Sequence, residues 1–385
     1  MRVANLLTVS LLSGALIFGN APAVAYDVAG MRDAMQSVFS SMRTLLELSA
    51  DTARLAEPAN QAAILKAAAE LEEQANLVSA HVPRDEISFL ASSLDRYAQW
   101  IRKSYEWRLY NDTRQLVHAT VDVCVACHTR LTSRRDSPLA EDFVNSKQMN
   151  RLSLRQRVRL QTATRRFDDA LEDYATLLAE SVGDDDFLQL ARDALVLALR
   201  VKVDPNQARE LLAGLLARED LKNPNREHVR AWANSLQDLS KVPIPKGDLA
   251  VAQVLIEQAE AVIVSPAADP LINYIVASRL LYDYLESSDN DQGEYNSQRS
   301  LDEGSRAYYL LGLTQYRIDP EAWLPQAELF LEKSIRTAPA SAHARDAFNL
   351  LLKKMQRSYP SEKGGMPKDV HDHLQILLDM VRAGG

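Results

Sequence analysis

The chain has 385 residues, too many for one small domain and enough for two or three units. Its apolar and charged fractions, 46% and 25%, are those of an ordinary globular protein, and a formal charge of −8 excludes the basic footprint that general nucleic-acid binding needs. Only 13 glycines, 15 prolines and 2 cysteines occur, which favours helix and excludes a scaffold stapled by several disulfides.

The chain opens "MRVANLLTVSLLSGALIFGNAPAVAYD". Arg2 supplies a positive start, an apolar run extends to Phe18, and Ala23-Val24-Ala25 is a small-x-small cleavage site. This pattern predicts a secretory signal peptide over residues 1–25, with the mature chain starting near Tyr26. The apolar run is too short to span a membrane comfortably, no cysteine follows it to carry a lipid, and no later segment has the roughly 18 unbroken apolar residues of a spanning helix.

Four amphipathic helices are expected next. The first carries Val28, Met31, Met35, Val38, Met42 and Leu45; the second Ile64, Ala68, Leu71, Ala75 and Val78. The third follows "HVPRD" and carries Ile87, Leu90, Leu94, Tyr97 and Ile101. The fourth follows "YNDT", where Asn111 or Asp112 can cap it, and carries Leu116, Thr120, Cys124, Cys127 and Leu131. One apolar stripe per helix and short connections predict an up-down-up-down bundle over residues 26–135. Tyr97, Trp100, Tyr105, Trp107 and Tyr110 are expected to pack it. The topology brings the end of the fourth helix to the start of the first.

Both cysteines lie in "VDVCVACHTR", which contains C-x-x-C-H. That motif is a signature of covalent c-type haem attachment. Two thiols at this spacing can reach the two vinyl groups on one porphyrin edge, and the adjacent imidazole can lie under the iron. On a helix Cys124 and His128 share a face, with Cys127 beside them. A structural zinc site wants four N/S ligands, and no second Cys/His cluster occurs. A thioredoxin-like dithiol wants a βαβ setting, and the surroundings read as helix.

A leader, four helices and "CVACH" closing the fourth together resemble the class II c-type cytochromes, the cytochrome c′ and c-556 group, over about a third of the chain. The resemblance implies one haem c, with Cys124 and Cys127 as thioether residues, His128 as axial ligand and Met31 or Met35 on the distal face. A methionine ligand there would resemble the electron-transfer members; an open face would resemble the gas-binding ones. The aromatic and arginine that the family places three and four residues after the histidine are Leu131 and Thr132 here. Met42 lies about 10 Å further along the helix, and His118 about 15 Å from His128, at 1.5 Å per residue. His81, closing the second helix, is a lesser distal candidate.

Residues 136–150 read as a linker in an arginine-rich stretch running from Arg130 through Arg134, Arg135, Lys147, Arg151, Arg155, Arg157 and Arg159 to Arg165 and Arg166. A solvated helix face is the plain reading of it, and a docking patch for an acidic redox partner, or a cover over the haem propionates, the functional one. Residues 151–385 read as helical hairpins separated by Pro, Asn, Asp and Gly breaks. In "SRAYYLLGLTQYRIDPEAWLPQAELFLEKSIRTAPASAHA", Tyr308, Leu311, Gly312, Ala327, Leu331 and Pro339 resemble a tetratricopeptide repeat, which implies a surface that binds a protein partner. "ARDALVLALRVKVDPNQARELLAGLLA" is a looser second candidate. "GDDDF" reads as a helix start, and the scattered His228, His343, His371 and His373 form no catalytic group. The expectation is therefore an all-α chain: a haem bundle followed by a tetratricopeptide-like region. Its expected role is a periplasmic single-electron carrier rather than an enzyme, with a haem-based gas or peroxide sensor, or a scaffold carrying an accessory haem, as alternatives.

Overall fold

A computed structural model describes residues 28–81, 85–129, 152–180, 185–241, 244–262, 265–290, 297–319, 326–359 and 366–384. The expected leader, the linker and the basic residues from Arg130 to Arg151 lie outside these. Among the described residues the secondary structure is helical, and no helix is long and apolar enough to cross a membrane.

Four long helices, α1 (Val28–Leu48), α3 (Gln61–His81), α4 (Asp85–Glu106) and α5 (Tyr110–His128), pack in sequence. Their pairings are antiparallel. Ser41 on α1 donates to Glu70 on α3 at 3.5 Å, and Ala34 clusters with Val78. Arg102 on α4 makes two bonds to Glu72 on α3, at 2.6 and 3.3 Å, while Ser79 meets Ser92. Ser104 meets Thr113 across the α4–α5 turn at 2.9 Å. Leu45, Ile64, Leu71, Leu90, Ile101 and Val117 fill the shared core, each completely or almost completely buried. A buried Leu or Ile side chain contributes about 1.5–3 kcal/mol. The short α2 (Thr52–Ala56), capped by Asp51, adds Leu55 to this core and leans on α5, which meets α1 only lightly.

Two expectations are corrected here. First, α5 starts at Tyr110, so Asn111 and Asp112 sit inside its first turn, and the capping residue Leu109 uses no side-chain bond. The turn closes through backbone instead: Arg108 adopts φ 59°, and Leu109 N–H donates to Ser104 O at 2.8 Å. Asp112 still favours the positive end of the helix. Second, Trp100 and Trp107 are not core residues. They are 45% and 59% exposed, in edge contact with each other, and Lys103 Nζ lies 5.5 Å from the Trp100 ring. With Leu109, Asp112 and Gln115 they border a cleft of about 210 Å³ at the far end of α5 from the cysteines.

Helix α6 (Leu154–Ala163) begins with a capping box between Ser153 and Gln156, and α7 (Phe167–Glu180) follows after Arg165 at φ 63°. Residues on α6 enter two cores. Leu160 and Ala163 belong to the core of the four long helices, and Val158 belongs to the next one. The first core thus extends past residue 151. Helix α8 (Phe187–Val196) runs into a π turn, Leu197–Lys202, which Val203 ends at φ 57°. Asp204 then caps α9 (Pro205–Leu216), with Pro205 at the first position.

The remaining helices are α10 (Asn225–Leu239), α11 (Leu249–Glu260), α12 (Leu271–Asn290), α13 (Ser297–Ile318), α14 (Gln326–Thr337), α15 (Ala342–Ser358) and α16 (Lys368–Gly384). From α11 to α16 each helix packs on the next, α10 packs on α9 and on α12, and α13 also touches α15, so the hairpins stack. Phe167, Phe187, Trp232, Leu280 and Leu311 fill the larger core; Leu331, Ile335, Phe348 and Leu377 fill another at the end. The α13–α14 approach depends on Gly312. A Cβ there would lie 2.8 Å from two carbons of the fully buried Leu331 and 3.2 Å from the Ala327 carbonyl.

Gly312→Ala is therefore expected to cost about 1–3 kcal/mol through overpacking. Gly214→Ala, also within a helix but with nothing within 4 Å of the added methyl, is expected to stabilise by about 0.5–1 kcal/mol. Thermal melts of the two variants check the pair, and equal shifts would contradict the close packing.

Candidate functional site

The site lies in the last turns of α5. Val121, Val123 and Ala126 are buried and anchor this end of the helix, while Cys124, Cys127 and His128 are half-buried beside them. Thr129 closes the helix by donating its hydroxyl to Val125 O at 2.8 Å. Both cysteines pack against the first core, and no disulfide joins them. Burial, followed by the Cys127 thiol and the Asp122 carboxylate, pushes the Cys124 thiol up to about 12. It is held in the protonated form.

The His128 ring meets the carbonyl of Ala163 on α6 through Nδ1. A carbonyl only accepts, so Nδ1 carries the proton and donates. Burial lowers the ring to about 4; Arg165 adds to this, and the bond to Ala163 opposes it. The imidazole is neutral at pH 7, with its remaining lone pair on Nε2. That is the tautomer a metal-binding histidine adopts when its other nitrogen is held by a carbonyl. Two reduced thiols and such an imidazole, set in apolar surroundings one helical turn apart, fit covalent haem attachment. Among the described residues no three His, Cys, Asp or Glu side chains, Cys124, Cys127 and His128 included, gather into a group that could hold a metal ion by themselves.

Followed through the antiparallel pairings, Met31 and Met35 lie level with this end of α5. Both are half-buried and pack on a small cluster of Ala34, Val78 and Ala91, whereas the cysteines pack on the main core. Met42 is buried in the main core. His81 closes α3. His118 is partly buried on α5, and burial with Arg159 and Arg114 lowers its pKa.

The described arginines of the basic stretch are largely turned to internal use. Arg155 pairs with Asp186, Arg157 with Asp173 at 2.5 Å, Arg159 with Asp122, and Arg166 with Asp169 at 2.7 Å. Partly exposed pairs of this kind contribute little individually. Arg159 also donates to the His118 carbonyl at 3.4 Å and so spans from α6 to α5.

One charged group had no signature in the sequence. The Asp193 carboxyl, on α8, is enclosed and pushed up to about 7, first by burial and then by Asp319. Gln189 donates to it at 3.0 Å. Packing around α8 and the nearness of Asp319, just past the end of α13, create this environment.

Two outcomes are expected. Below its ordinary value of 3.8 Asp193 is protonated folded or unfolded and has no effect; between 3.8 and about 7 its burial penalty grows, and above 7 the penalty is complete. Asp193→Asn should therefore raise the melting temperature at pH 7.5, by up to about 4 kcal/mol in stability, and the gain should vanish near pH 4. A melting series across that pH range checks it. In the haem-free chain at pH 7.5, Cys124 should react with iodoacetamide far more slowly than after denaturation, as followed by mass spectrometry; equal rates would contradict the enclosure. No family model, curated protein or solved structure matches this chain.

Proposed function

We propose that this chain is an exported, periplasmic c-type cytochrome that holds one haem by thioether bonds to Cys124 and Cys127, with His128 as axial ligand. The observation that carries the reading is the state of the motif's histidine: the last residue of C-x-x-C-H is a neutral imidazole whose Nδ1–H is committed to the Ala163 carbonyl. The apolar sequence "MRVANLLTVSLLSGALIFGNAPAVA" supports export. When bound, the haem supplies a one-electron couple. The chain's own residues do the rest. Val121, Val123 and Ala126 pin the end of α5 to the core, the buried surroundings exclude water, and Ala163 fixes the ring proton.

The stacked hairpins α13 to α16, with Gly312, Ala327 and Leu331 in close contact, support a tetratricopeptide-like partner-docking region. With Arg155, Arg157, Arg159 and Arg166 paired internally, this region is the better place for a protein partner than the basic stretch.

One observation favours the alternative of a gas-binding site. Met31 and Met35 pack on Ala34, Val78 and Ala91, in a cluster apart from the cysteines. If neither ligates, the distal face is open.

Expression with haem-maturation machinery, followed by denaturing electrophoresis and absorption spectroscopy, tests both readings. Haem should stay attached after denaturation and be lost in the Cys124→Ser, Cys127→Ser double variant. Absence of attached haem in the parent chain overturns the proposal. A low-spin spectrum unchanged by carbon monoxide supports the electron carrier, and Met31→Ala or Met35→Ala should then open the iron. A spectrum that shifts with carbon monoxide supports the gas-binding alternative.

A further inference from the structure

Helix α6 is joined to the site in a way that the haem motif alone does not imply. Its first turns are tied to the downstream region: Val158 is buried in the larger core, and Arg157 holds Asp173 on α7. Its last turns are tied to α5: Leu160 and Ala163 are buried in the first core, and Arg159 reaches Asp122 and the His118 carbonyl. The last four carbonyls of a helix lack intrahelical partners and must find others. Here the Leu160, Gln161 and Thr162 carbonyls are taken by the backbone N–H groups of Thr164, Arg165 and Arg166. Among the described residues no backbone N–H takes the fourth, Ala163, and the His128 ring donates to it. Each partner satisfies the other. A buried imidazole N–H and a buried carbonyl would both be costly to leave unpaired.

We infer that α6 is the positioning element for His128: the Ala163 carbonyl fixes the ring's tautomer and orientation, so that the packing of α6 on both cores sets the state of the axial ligand. The tautomer statement stands on the chain alone; the statement about the iron rests on the proposed haem. Losing the Ala163 acceptor makes the imidazole a poorer electron donor through Nε2. A ligand that donates less stabilises ferric iron less, so the reduced form gains.

The test uses the full chain with α6 loosened by Arg159→Gln, with Arg159→Lys as the conservative rescue and Leu160→Ala as the stronger disruption. Two readouts are taken. In the haem-free chain, ¹⁵N NMR of His128 should show the Nδ1–H tautomer in the parent and the Lys variant, and a mixture of tautomers in the other two. In the haem-loaded chain, the midpoint potential should rise in the same two variants, by about a tenfold change in the oxidised-to-reduced ratio, or 59 mV for one electron. If loosening α6 leaves both the tautomer and the potential unchanged while the helical circular dichroism is intact, the inference is overturned. Should the chain bind no haem, a tautomer change in the NMR arm still supports the positioning role while the cytochrome reading fails. Should haem bind and the ring ignore α6, the cytochrome reading stands and this inference fails.

Discussion

The organisation of this chain turns on a helix of ten residues, α6, that has to bury apolar side chains on two sides at once. A helix between two cores cannot move relative to one without disturbing the packing of the other. Leu160 and Ala163 commit it to the four long helices, and Val158 commits it to the hairpins. The ion pairs from Arg157 and Arg159 reach to opposite neighbours, α7 and α5. They matter less for their energy than for register. They specify which turn of α6 faces which partner, and with it which carbonyl meets the His128 ring.

The helical stripes and their order were legible in the residues themselves. Periodicity located α1, α3, α4 and α5 because each carries one apolar face and little else. The C-x-x-C-H motif located the candidate chemistry because both cysteines of the chain fall in it. The details that failed were those decided by local geometry or by distant partners. The start of α5 was misplaced because Arg108 takes a left-handed conformation and the backbone closes the turn without a polar cap. Periodicity places Trp100 and Trp107 in the core, whereas both are exposed and Trp107 lies beyond the end of α4.

The partners of the site itself were not legible. Ala163 is unremarkable in sequence, lies 35 residues from His128, and acts through its backbone. The arginines between 155 and 166 looked like an exposed patch because their carboxylate partners, Asp122, Asp173, Asp186 and Asp169, are spread along the chain. Asp193 becomes a perturbed acid because packing buries it and, second, because Asp319, just past the end of α13, comes near it. Charge density read along a sequence overstates what reaches solvent when helices stack.

The enclosure of Cys124 has a consequence in time. The thiolate is the nucleophile in sulfur chemistry, and the folded chain keeps this sulfur as a thiol behind packed helices. Bond formation at that sulfur is therefore slowed once α5 and α6 have come together. The order of folding and sulfur chemistry then matters: the sulfur is more reactive in the open chain than in the closed one.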